Sequence, residues 1–151
     1  IKLLNPYLTL THSVKKAIKR ALKRGVKVEV MLAEKSDIPL TPDCAFFNLH
    51  WMMKKGAEVW IFQGGFHHTK VIMVDGKFCT VGSTNLDARS LRWDYEENAI
   101  IIDKPTTHEL STLFDRDKKR SFRLTRDNWK TWKSCGQRFK CWFAHLFATW
   151  L

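Results

Sequence analysis

Apolar and polar residues alternate along this chain with two periods, and the changes of period mark its elements. Ile1-Lys2-Leu3-Leu4 reads as a strand that ends in a turn at Asn5-Pro6. Val14, Ala17, Ile18, Ala21 and Leu22 then recur at helical spacing, with Thr11 or Ser13 as the cap and Gly25 where a left-handed terminating residue belongs. In 27–33, Val28, Val30 and Leu32 share one face while Met31 and Ala33 share the other, so this strand belongs inside a sheet. Thr41-Pro42-Asp43 predicts a second helix, capped by Thr41 with Pro42 in its first turn and ending at Gly56. A strand over 57–62, a Gly64-Gly65 turn, strands over 69–74 and 77–81 joined by a hairpin at Asp75-Gly76, and a last strand over 95–102 follow. Residues 105–120 and everything from 128 onward read as helical, and the loop 35–40, which could border a binding cleft, reads better as an ordinary connection. Strands that alternate with helices and then form a hairpin predict an α/β fold, a mixed sheet with helices on both faces, followed by a helical C-terminal tail.

Length and charge refine this picture. The 151 residues suffice for one core, and 44% hydrophobic against 27% charged residues excludes disorder for most of the chain. The net charge of +11 is unevenly placed: residues 1–117 hold 17 Lys or Arg against 14 Asp or Glu, whereas 118–151 hold 9 against 1. We therefore divide the chain into a domain over 1–120 and a basic, tryptophan-rich helical tail over 121–151. In the tail, Trp129, Trp132, Phe139, Trp142, Phe143, Leu146, Phe147 and Trp150 fall near one stripe, broken at Gly136, while Lys130, Lys133, Arg138 and Lys140 fill other positions. Two readings stand open: a helix pair closing the core, or an interfacial anchor on an anionic membrane. Cys44, Cys79, Cys135 and Cys141 show no paired or zinc-ligand spacing and read as reduced structural thiols. No run approaches the roughly 20 apolar residues that span a bilayer. A first residue that is Ile, already within a strand, predicts a piece of a longer protein.

Chemistry concentrates between residues 68 and 85. Alternate side chains of an extended segment share a face, so His68 and Lys70 point the same way, a nucleophile beside a cation. The hairpin returns Gly82, Ser83 and Asn85 toward the same end, adding a hydroxyl and an amide as neutral donors. These groups can surround a phosphate, and neither a metal nor another cofactor is called for. Phosphodiester chemistry needs a nucleophile, an acid and charge stabilisation; only a second histidine to protonate the leaving alcohol is missing. His67, next to His68, faces the other side and is expected to pack or hydrogen-bond elsewhere.

The pattern H-x-K-x(4)-D-x(6)-G-S-x-N, met by His68, Lys70, Asp75, Gly82, Ser83 and Asn85, resembles the HKD motif of the phospholipase D superfamily. Asn5-Pro6-Tyr7, Gly25-Val26-Lys27-Val28, Lys35-Ser36-Asp37, Gly65-Phe66-His67-His68 and Asn85-Leu86-Asp87-Ala88-Arg89-Ser90-Leu91 are similar to the C-terminal half of bacterial cardiolipin synthases. This resemblance implies that His68 is the nucleophile that becomes phosphohistidine, or else the general acid, and that Lys70, Ser83 and Asn85 hold the phosphate oxygens. It implies that Glu96, with Glu97 as the fallback, orients the histidine ring. Asp75 belongs to the motif's catalytic set, read as a structural hydrogen-bonding group at a strand end.

The implied reaction is transfer of a phosphatidyl group between two phosphatidylglycerol molecules with release of glycerol. Family members use two facing motifs, so a second HKD half-domain is expected, in the same full-length chain or in a dimer mate. The implied partners are the phospholipid substrate and, through the tail, an anionic membrane; the implied place is the bacterial inner membrane, with this domain peripheral to it. The alternative is a dimeric phospholipase D-type phosphodiesterase or nuclease, but charge gathered in a hydrophobic tail favours lipid over nucleic acid.

Overall fold

Val28, Val30 and Leu32 are buried in the larger of two cores and Met31 in the smaller, on opposite sides of one sheet, as their alternation predicts. The computed structural model describes residues 1–38 and 41–146. Its elements are β1 (Lys2–Leu4), α1 (His12–Lys23), β2 (Glu29–Lys35), α2 (Thr41–Lys54), β3 (Glu58–Phe66), β4 (Val71–Val74), β5 (Phe78–Gly82), β6 (Asn98–Ile101), α3 (Lys104–Lys118), β7 (Ser121–Leu124), α4 (Trp129–Trp132) and α5 (Cys135–Leu146). The sheet order is β6-β5-β4-β1-β2-β3-β7. β1, β2 and β3 run parallel, and β4, β5, β6 and β7 each pair antiparallel with a neighbour. Helices α1 and α2 cover one face through Ile18, Ala21, Phe46, Leu49 and Met52, and α3 covers the other through Phe114. The architecture is thus the expected mixed α/β sheet.

Local chemistry explains most boundaries. Thr11 Oγ1 accepts from Val14 N, and Gly25, with φ +79°, ends the turn after α1. Asp103 caps α3 by accepting from Thr106 N at 2.8 Å. The Thr41 side chain lies outside the described part of the molecule, as do Phe147 and Trp150 of the aromatic stripe. Gly64 and Gly65 depart from expectation, for they do not turn the chain. Ala33 pairs with Phe62 but Lys35 pairs with Phe66, so β3 advances four residues while β2 advances two. The glycines form that bulge, Gly65 at φ +114°. β6 is shorter than expected and begins only at Asn98.

The tail also departs from a simple helix. Residues 121–124 form β7 on the edge of β3, with Leu124 in the larger core. The helix break falls at Lys133-Ser134 and not at Gly136. Ser134 and Gln137 cap reciprocally, Ser134 N donating to Gln137 Oε1 at 2.9 Å and Gln137 N to Ser134 Oγ at 3.3 Å. Trp129 stacks on Phe46 and on His50, with centroids 3.9 and 4.2 Å apart. In α5, Cys141 and Ala144 are buried against α2, while Phe139, Trp142, Phe143 and Leu146 stay at least half exposed. The stripe is therefore divided: α4 closes the core, as the first reading expects, and α5 leaves an apolar face outside. All four cysteines are free, and burial pushes the Cys44 thiol up to about 11.

Asp43 fastens this tail. Lys133 Nζ donates to its carboxylate at 2.8 Å, Lys140 stands 3.3 Å away, and the Cys141 thiol donates to it. Burial pushes the Asp43 carboxyl up, but the hydrogen bond and charge of Lys133 outweigh it and hold the carboxyl below its usual range. Asp43→Ala strands the Lys133 ammonium and is expected to cost about 3 kcal/mol in urea unfolding. Because the folded-state pKa is depressed, this stabilisation is complete above the ordinary aspartate value of about 3.9 and is lost as pH falls through the lower folded value; the variant's curve lacks that acid limb.

Candidate active site

The parallel strands β1, β2 and β3 all end at one edge of the sheet, and antiparallel β4 begins there while β5 ends there. This edge collects the loops that follow Leu4, Lys35, Phe66 and Gly82, the usual place for a ligand in an open α/β sheet. His68 and Lys70 lie in the extended link between β3 and β4 rather than within a strand, and the Lys70 carbonyl accepts from Gly82 N at 3.3 Å. The Lys70 ammonium donates to the His68 carbonyl at 3.0 Å. Burial lowers the Lys70 pKa, opposed by the negative charges of Glu96, Asp37 and Asp87. The exposed His68 ring stands edge-on to Tyr7 (6.2 Å) and tilted against Phe66 (5.2 Å).

On the other side of the hairpin, Ser83 N donates to the Glu97 carbonyl at 2.9 Å, and Ser83 Oγ donates to the Glu96 carboxylate. Gly82 is required by close approach: a Cβ there would collide with the Glu97 carbonyl and the Asn98 side chain. Asn85 Nδ2 donates to Ser90 Oγ at 3.3 Å, leaving Asn85 Oδ1 buried without a partner. Exchanging the amide termini makes Ser90 the donor and turns an NH2 group to the orphaned position. Ser83, Tyr95, Glu96 and Glu97 line an open groove of about 670 Å³ beside β6, and Lys70, Thr84 and Asn98 line a cavity of about 290 Å³.

His68, Lys70, Ser83, Asn85 and Glu96 therefore meet at one edge. Asp75 does not, which corrects its place in the catalytic set. It sits in the hairpin turn with Gly76, both at positive φ (54° and 61°), five residues from Lys70 along the strand. At about 3.3 Å per residue that is roughly 16 Å away. Its negative charge is felt by the Ile1 amino group, whose proton it helps retain. Glu96 also differs from its expected role, because its partner is Ser83 Oγ and not the His68 ring. The loop after Gly82 runs alongside 96–97 and claims that carboxylate first. His67 turns away as expected, to Asp117 at 3.0 Å. Arg89 pairs with Asp94 at 3.1 Å.

Four further residues build the site. Buried Asn5 staples its loops, donating to the Thr84 carbonyl (3.2 Å) and accepting from Tyr7 N and Leu86 N (both 3.1 Å). Tyr7 Oη donates to Asp37 at 2.5 Å, which brings the loop after β2 to the site; that bond holds Asp37 below its usual range. Asp87 accepts from Ser90 N at 2.7 Å, and burial raises its pKa. The signal for all four was present in the segments Asn5-Pro6-Tyr7, Lys35-Ser36-Asp37 and 85–91, without any spacing that assigned them a task.

The profile of the family described as "Cardiolipin synthase, PLD-like domain" matches residues 1–118. The cardiolipin synthase of Oceanobacillus iheyensis is 35% identical over 135 residues, 89% of this chain; the chain spans only 28% of that relative's length. Phosphatidylserine synthase of Haemophilus influenzae has a similar structure (TM-score 0.74, 17% identity, 97% of this chain and 38% of that one). So does Nuc, a phospholipase D family member from Salmonella typhimurium (TM-score 0.67, 20% identity, 82% and 80%). At these identities the structural likenesses show the fold. Asn5→Ala removes three hydrogen bonds, two of them buried, from the loops of the edge just described. It is expected to cost at least about 2 kcal/mol, and hydrogen exchange should find the Leu86 amide losing protection more than the amides of β2.

Proposed function

Because this chain belongs to the family of cardiolipin synthase, PLD-like domains, we propose that it is one catalytic half of a phosphatidyltransferase acting on phosphatidylglycerol. The observation that carries the reading is the convergence of His68, Lys70, Ser83 and Asn85 from two sides of the β4–β5 hairpin onto one edge. In this reading a His68 ring nitrogen attacks phosphorus, the bond from phosphorus to the glycerol oxygen breaks, and glycerol leaves with a proton from an acid on the second half. The hydroxyl of another phosphatidylglycerol then attacks phosphorus while giving its proton to the group on the second half that had protonated glycerol, the phosphorus–nitrogen bond breaks, and both His68 and that acid are restored. Lys70, Ser83 and Asn85 donate to the phosphate oxygens. Glu96 is a positioning residue that acts through the Ser83 hydroxyl. In the unliganded site the one proton of the Ser83 hydroxyl goes to that carboxylate, so Ser83 donates to phosphate only once its hydroxyl turns from Glu96 to a phosphate oxygen.

The second half finds its support at the open edge of the sheet. β6 is an edge strand, and Ile100 (71% exposed) on it, Trp93 (77%) and Tyr95 (105%) before it and Ile102 (86%) just after it stand out beside the groove that holds Ser83. An edge with that much apolar surface calls for a cover, and a matching half-domain placed there would bring its own histidine to the phosphate. The apolar outer face of α5 supports a peripheral seat on an anionic membrane, which in the cell would be the inner membrane. Among the described residues no helix is long and apolar enough to cross a bilayer. A dimeric phosphodiesterase is the second reading, favoured by the similar length of Nuc; nucleic-acid affinity falling steeply with salt would mark it.

Two outcomes follow for glycerol release from phosphatidylglycerol. In the longer protein that contains both halves, His68→Ala lowers turnover by more than about 10,000-fold, and Lys70→Met by about 100- to 1,000-fold. The 151-residue chain alone shows little or no turnover; a light-scattering monomer matching the two-half protein would overturn the reading.

A further inference from the structure

His12, Lys15, Lys16 and Lys19 recur at three- and four-residue steps on α1, so they share one face, opposite the buried Ile18 and Ala21. With Trp51 of α2 they line a cleft of about 390 Å³. This cleft stands apart from the edge that holds Lys70 and Ser83: none of its lining residues belongs to the cavities there.

The charge of the cleft is uncompensated. Several cations elsewhere are matched: Lys2 with Asp115, Lys118 with Glu29, Lys133 and Lys140 with Asp43, Arg89 with Asp94. Among the described residues Lys15, Lys16 and Lys19 have no carboxylate within salt-bridge distance, and α1 contains no acidic residue. Lys15 is partly buried beside the cleft, and its ammonium is correspondingly easier to deprotonate. Three like charges gathered on two turns repel one another. They persist in one place at least cost when an anion occupies the space between them. An indole wall adds an amphipathic surface of the kind that settles at the boundary between headgroups and acyl chains.

We propose that the cleft formed by Lys15, Lys16, Lys19, His12 and Trp51 is a second phosphate-binding site, which takes the headgroup of an anionic phospholipid in the bilayer and holds the protein to the membrane beside α1. The choice of lipid over free phosphate rests on the reading of the chain as a phospholipid enzyme. The site itself does not depend on turnover, so its test is a binding measurement and its failure is separable from failure of that reading.

The test is co-sedimentation with vesicles of phosphatidylcholine containing phosphatidylglycerol, against phosphatidylcholine alone. Wild type is compared with K15Q/K16Q/K19Q and with K77Q/K104Q/K119Q, which loses the same charge from the hairpin turn and from α3. The first variant is expected to lose about 100-fold in affinity for the anionic vesicles, roughly fivefold per lysine, while the second stays within a few-fold of wild type. Equal losses in both variants would reduce the effect to net charge and overturn the proposal, as would no loss in the first. Inorganic phosphate, titrated at constant ionic strength, separates the sources. Saturable binding that the first variant abolishes, with vesicle affinity unchanged, would make the occupant a free anion and overturn the lipid assignment. Should the triple variant fail to fold, K16Q alone, on an exposed residue, carries the same comparison with a fivefold expected loss.

Discussion

Val71 is held from both sides, paired to Leu4 of β1 and to Val81 of β5, and the position of every reactive group depends on that double register. A slip of one residue in either ladder would turn Val71 and Met73 out of the smaller core and Lys70 into it. The register places the start of β4 level with the ends of β1 and β5. As a result the asparagine that leaves β1 can staple Thr84 and Leu86, and the amide that leaves β5 can bond the Lys70 carbonyl. The two sides of the candidate site are thus set by strand pairing in the middle of the sheet, where burial makes pairing strict.

Around this frame the molecule treats its charges in two ways. Where cations serve the fold, carboxylates meet them: Glu29 is buried against Lys118, and Asp43 gathers Lys133 and Lys140 to dock the C-terminal helices. Where cations face outward on α1, no carboxylate meets them. Apolar surface shows the same division. Trp129 is spent on the core against Phe46, while the aromatic residues of α5 and of the β6 edge remain outside. The uncovered surfaces lie on different parts of the molecule.

Much of this was legible from residues alone. Helix α1 declared itself through its cap and apolar spacing, and the hairpin through Asp75-Gly76. His68, Lys70, Ser83 and Asn85 were recognisable because their chemistry sits within eighteen residues of chain. What was missed had weak or ambiguous local signals. β7 offers only the four-residue alternation Ser121-Phe122-Arg123-Leu124. Gly64-Gly65 is compatible with a turn or a bulge, and the pairing of Lys35 with Phe66 decides for the bulge. Asp75 belongs to the same short motif as His68, yet an extended strand carries it to the opposite edge of the sheet.

By itself, then, the sequence determined which residue types stand at the reactive positions and which segments become strands or helices, because both are properties of short stretches of chain. Only the tertiary structure decided that Glu96 meets Ser83, that Tyr7 and Asp37 border the site, and that α4 is buried while α5 is half exposed. Those are contacts between residues far apart in the chain, and their partners are chosen by the register and packing of the whole sheet.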